Sequence, residues 1–186
     1  MMSWKADRRA VVSLLAVGVA LVILAFNLVP AQAGDESLGG DEGAFRYIRL
    51  LRSRDGFALA QALRGAHSLL GSSRCQALFS DFADSSGRRL QELLDEQGHT
   101  GQSHLRRLLF YDAPRDSSCR STGILAFTHP GSRVVFICGG FREAFALNPG
   151  FVEVVIIHES LHTLGLGENP PTSDEITRQV RARCTR

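Results

Sequence analysis

The sequence predicts a single α+β domain over residues 44–186, on three observations. Apolar residues fall at helical spacing through residues 45–94. Two β-rich runs, residues 123–128 and 133–138, then flank His129-Pro130-Gly131-Ser132, the composition of a hairpin turn. Helical spacing returns over residues 151–164 and 173–183. Helices, a hairpin, then helices imply α+β with a small antiparallel sheet.

Taken in order, the chain begins with a basic flank of Lys5, Arg8 and Arg9 and an uncharged apolar run over residues 10–29. Pro30 and Ala31-Gln32-Ala33 follow, the small-residue pattern of an export-signal cleavage site. Residues 1–33 therefore read as a signal peptide cleaved after Ala33, or as an uncleaved membrane anchor, since about 20 apolar residues span a bilayer. Either way the remainder is translocated, to the periplasm or the exterior. Residues 34–43 hold four glycines and four acidic residues and read as a flexible linker. The first helical stretch carries Phe45, Ile48, Leu51, Phe57, Leu59, Leu63 and Leu70, with Asp55-Gly56 as an expected break. Short helices are expected over residues 75–82 and 90–94. Residues 105–111 suit a strand or a helix end equally.

With 21 basic and 19 acidic residues, scattered rather than clustered, the chain has no electrostatic footprint for nucleic acid. Any membrane contact is expected only through an uncleaved N-terminal segment, and the body is expected to be a monomer. Cys75, Cys119, Cys138 and Cys184 form an even set in an exported chain, which points to two disulfides. Cys75–Cys119 and Cys138–Cys184 are the expected pairs among three connectivities. No C-x-x-C spacing offers a cysteine zinc or redox site.

The chemistry concentrates in His158-Glu159-Ser160-Leu161-His162, an H-E-x-x-H pattern. Residues four apart share one helix face, so both imidazoles reach a single ion, and Glu159 is set to act as general base on a water there. A chain with 6 His and 9 Glu holds this pattern by accident about once in a hundred. Its context adds weight: Val154, Val155, Ile156, Ile157, Leu161 and Leu164 make the helix apolar nearly all round, as in a buried helix. Buried histidines and a glutamate need partners, and a metal with its water satisfies all three. Catalytic zinc usually keeps three protein ligands. Reading on to Gly165 and Glu168 extends the pattern to H-E-x-x-H-x-x-G-x-x-E, with Gly165 turning the chain back so that Glu168 returns to the ion. Glu175 on the last helix is the alternative third ligand, although Thr172-Ser173-Asp174-Glu175 also reads as a capping box.

At these residues the chain resembles the zincin metallopeptidases. The spaced glycine resembles the metzincin branch, but Glu168 stands where that branch has His or Asp, and no methionine follows Met2 to build a Met-turn. Glu175 would fit the thermolysin-like branch instead. Residues 163–177 also look like small bacterial exported proteins described as metallopeptidases. The resemblance covers roughly residues 119–184 and implies a zincin-like fold, a Zn2+ cofactor and a peptide or protein substrate. It further implies an edge strand that binds extended peptide, for which Val134, Val135 and Phe136 are the candidates. His129, Arg142 and Tyr111 are its candidates for stabilising an oxyanion.

Three functions compete on this reading: a zinc metallopeptidase; a zinc amidase acting on cell-wall or other small amides; and a disulfide-stapled binding domain with a structural metal. A fourth protein ligand would favour the last, because structural zinc sites are closed.

Overall fold

The structure is a computed structural model and describes residues 53–185. The signal or anchor segment and the linker lie outside the described residues. Helix α1, Ser53–Leu69, buries Leu59, Ala62, Leu63 and Ala66, an i, i+3, i+4, i+7 stripe. It runs unbroken through Asp55-Gly56, where a break was expected. Short helices follow: α2 Ser73–Gln76, α3 Leu78–Asp81, α4 Leu90–Glu96 and α5 Gly101–Leu105. Strand β1, Leu109–Asp112, comes next, so the ambiguous residues 105–111 hold both a helix end and a strand. After a 3-10 turn at Ser117–Arg120 come β2, Ala126–Thr128, and β3, Val134–Ile137. Three helices complete the chain: α6 Phe141–Leu147, α7 Pro149–Thr163 and α8 Ser173–Cys184.

The mixed α+β character and the hairpin are as expected. The sheet is not purely antiparallel. Its order is β1-β3-β2, with β3 antiparallel to β2 and parallel to β1 (Leu109 opposite Val134). β3 is therefore the central strand, and Val134, Val135 and Phe136 do not form an edge. Both sides of their backbone are occupied by neighbours; the edge nearest α7 belongs to β2. The sequence left β1 ambiguous between strand and helix end because Leu108, Leu109 and Phe110 lack a β-branched residue.

One face of the sheet packs inward through Phe110, Val135, Ile137 and Ala126. The other carries half-buried Tyr111, Phe136 and Phe127 in one row, with Phe127 and Phe136 stacked at 4.9 Å. Helix α7 lies at the centre of the domain, touching α1, α6, α8, β2 and β3. Its approach to α1 is close. A Cβ on Gly65 would lie 2.1 Å from the Glu153 carboxylate, so a side chain there would displace the Glu153 side chain from the α1 surface.

The disulfides are Cys75–Cys184 and Cys119–Cys138, and the expected pairing is corrected on both counts. Topology explains the second: with β3 in the middle, the link from β1 to β2 must pass the end of β3, which brings Cys119 to Cys138. The first bond ties α2 to the end of α8, beside an Asp81–Arg183 pair in which Nε and Nη2 donate at 2.7 and 2.8 Å. Chain-entropy arguments give about 5 kcal/mol for a loop of this length and about 3 kcal/mol for the shorter one. Two disulfides mark an oxidising compartment. Among the described residues no helix is long and apolar enough to cross a membrane.

Candidate metal centre

Helix α7 starts cleanly: the Asn148 side chain accepts from Phe151 N–H at 3.0 Å and Pro149 occupies the first turn. Its end is equally defined. Gly165 N–H donates to His162 O and Leu166 N–H to Leu161 O, the paired bonds of a Schellman turn. That turn requires a left-handed residue, and Gly165 has φ +102°. The chain thereby doubles back and delivers Glu168 to the face of α7 that carries the histidines.

Three donor atoms converge there. His158 Nε2 and His162 Nε2 are 2.9 Å apart, and Glu168 Oε1 lies 3.5 and 3.2 Å from them. His162 Nδ1 donates to Leu166 O at 2.7 Å, which fixes its proton there and leaves Nε2 as a bare lone pair. His158 Nδ1 meets Thr177 Oγ1 of α8 at 3.0 Å. Burial, and then the neighbouring His162, push the His158 pKa down to about 4 against the pull of Glu168, so the ring is neutral near pH 7. With its proton on Nδ1, His162 Nε2 can accept a hydrogen bond from His158 Nε2 at this distance, or both nitrogens can turn their lone pairs on a shared cation.

These residues can hold a metal ion. The donor set of two imidazoles and a carboxylate suits zinc, and ligands about 2.1 Å from a tetrahedral ion stand about 3.4 Å apart, close to the spacings found. The Glu168 side chain is 49% exposed, so the group opens to solvent on that side. Glu175 is elsewhere: its carboxylate accepts from Thr172 N–H and Oγ1, both at 2.9 Å, in the capping box of α8. Those bonds hold it below the usual carboxylate pKa. The structure thus gathers Glu168, not Glu175, with the histidines.

Glu159 sits beside this group, 6% exposed. Its Oε2 has no hydrogen-bond partner. Burial, with the Glu168 charge adding, raises its pKa to about 8, and the Thr128 backbone N–H of β2 works in the opposite direction. At that pKa the carboxyl is protonated near pH 7, and a cation held at the donor cluster would lower it and free its idle oxygen to accept a proton.

A cleft of about 490 Å³ runs along His158 and Glu159, between the β2 edge and α8, past Phe151, Arg178 and Arg181. Leu125 O accepts from Cys138 N–H across the hairpin. By antiparallel alternation, Ala126 and Thr128 turn their backbone groups away from β3, toward the cleft. None of the expected oxyanion residues lines it. Tyr111 and His129 sit with Phe136 on the outer face of the sheet, and Arg142 pairs with Asp55 and Glu143. Thr177, the Leu166 carbonyl and the Thr128 N–H were missed. Two are backbone groups and the third is one hydroxyl on a polar helix, so no residue pattern marks them.

No protein-family model matches this chain, and neither a curated protein nor a solved structure matches it.

Proposed function

We propose that the protein is an exported, zinc-dependent metallohydrolase acting on peptide bonds, with His158, His162 and Glu168 as metal ligands and Glu159 as general base. The observation that carries this reading is the juxtaposition of three donors 2.9–3.5 Å apart with a buried, half-unsatisfied glutamate one residue beyond the first of them. When bound, zinc supplies a Lewis acid that polarises a carbonyl and acidifies a water. The chain's own residues do the rest. Leu166 and Thr177 hold the two imidazoles so that each presents Nε2. Glu159 takes the proton of the attacking water and returns it to the leaving amine. The free backbone groups of β2 at Ala126 can pair with an extended peptide laid in the cleft, which favours a peptide over a compact amide.

A purely structural metal is disfavoured by the same geometry, because Glu175 is engaged at its helix cap and leaves the group with three ligands and an open side. Glu159→Gln provides the test. Metal analysis should find one zinc per chain in both proteins, while hydrolysis of a casein or peptide-library substrate falls at least about 100-fold in the variant. Loss of the metal would make Glu159 a ligand; unchanged turnover would remove the mechanism.

A further inference from the structure

A second cleft, of about 660 Å³, lies behind the C-terminal turn of α7 and shares no lining residue with the first. Its floor is Thr163, Leu164 and Gly165, and its walls carry Arg88, Arg107, Arg133 and His99. Among the described residues the only carboxylate lining it, Asp84, is already engaged by hydrogen bonds and by Arg88. Its Oδ1 accepts from Ser86 N–H, Ser86 Oγ and Arg88 N–H, and Oδ2 faces Arg88 Nε at 3.5 Å. Arg107 and Arg133 have no carboxylate within 4.0 Å among the described residues. They are held close together, since Arg133 Nη2 donates to the Arg107 carbonyl at 2.7 Å. At the end of α7 the Leu166 and Gly165 amides occupy the Leu161 and His162 carbonyls, which weakens the negative field there.

Positive charge at this spot is also registered by a buried neighbour. His104, at the back of the cleft, bonds Thr163 Oγ1 at 2.7 Å. Burial above all, then His99, Arg133 and Arg107, push its pKa down to about 4. It therefore stays neutral, and the Arg107 and Arg133 guanidiniums, neither of them paired with a carboxylate among the described residues, dominate.

We propose that this cleft is a binding site for a phosphate-bearing ligand, gripped between Arg107 and Arg133. Two guanidinium forks call for an anion with more than one recognition face. A tetrahedral dianion offers that, whereas a planar carboxylate satisfies a single fork. The volume exceeds that of a bare anion, and Leu93 and Leu164 give an organic moiety apolar surface to lie on. The shared chemistry is the phosphate group, which a free anion or a phosphate ester can supply.

The test is calorimetric titration of the full chain with inorganic phosphate, glucose 6-phosphate and malonate at low ionic strength. Saturable binding of phosphate or its ester is expected, weakening with added salt and falling by at least about tenfold in the Arg107→Ala/Arg133→Ala variant. Tighter binding of the ester identifies esters as the source; equal binding identifies the free anion. Glu168→Ala should leave the affinity unchanged, which separates this site from the metal centre. Absence of saturable binding, equal affinity for malonate, indifference to the double substitution, or loss in Glu168→Ala would each overturn the proposal.

Discussion

Gly165→Val is the most informative single substitution, because Gly165 touches no donor side chain of the cluster yet determines where Glu168 goes. At φ +102° an L-residue is strained by about 1–2 kcal/mol, and a β-branched one by more. A Cβ there would also stand 3.2 Å from Asp84 Cβ. Asp84 cannot step aside cheaply, since its carboxylate caps the 84–88 turn through three hydrogen bonds to Oδ1. Together these put the strain at about 2–3 kcal/mol. If the turn relaxes, Glu168 swings from the histidines and zinc affinity drops about 30- to 150-fold, at 1.4 kcal/mol per factor of ten. If the fold bears the strain instead, the melting temperature of the metal-free protein drops by about 5–10 °C. Competition with a chromogenic chelator reads the first quantity and thermal unfolding the second. Gly167→Ala is the control, because a Cβ there meets nothing within 4 Å. A valine variant normal in both measurements, or an alanine control as damaging as the valine, would refute the reasoning.

Glu175→Ala should lower the melting temperature by a few degrees through loss of the α8 cap while leaving zinc affinity intact; equilibrium metal titration showing a large loss would restore Glu175 as a ligand. His104 predicts a pH effect. Its pKa is about 4 in the folded protein against 6.5 for a solvated imidazole, so the unfolded chain binds the extra proton between those values. Stability should therefore decline as pH falls from 6.5 to 4, by about 3 kcal/mol from this residue. Glu159 and His158 titrate in overlapping ranges, so the measurement is the difference between urea-unfolding profiles of wild type and His104→Gln. Parallel profiles would contradict the assignment.

The centre of the site was legible because it is local. His158, Glu159 and His162 lie on one helix whose apolar periphery announces burial, and Gly165 announces its end. The choice between Glu168 and Glu175 was open in sequence, since both lie within reach of a turning chain. In the structure the Schellman turn brings Glu168 to the histidines and the Thr172 cap keeps Glu175 away from them. What could not be read was long-range. The place of β3 between β1 and β2 depends on pairing across 25 residues, from Leu109 to Val134, with no compositional trace. The disulfide pairing follows from that topology, so an error about the sheet carried over to the cysteines. Helix α6 was missed because Phe141–Leu147 is too short to display a period.

The bond between Cys75 and Cys184 makes a covalent ring of most of the described chain, with the smaller Cys119–Cys138 ring inside it. One backbone cut between residues 76 and 183 opens the ring but frees no fragment. Both pieces stay joined through sulfur, and the helix bearing Thr177 stays fastened to the N-terminal helices through Asp81 and Arg183 as well. In an oxidising compartment that holds peptidases, this chain can thus be nicked in an exposed loop and still keep the segments bearing His158, His162 and Glu168 tethered. In this chain backbone continuity is partly replaced by cross-link continuity, and a single cleavage is not dissociation.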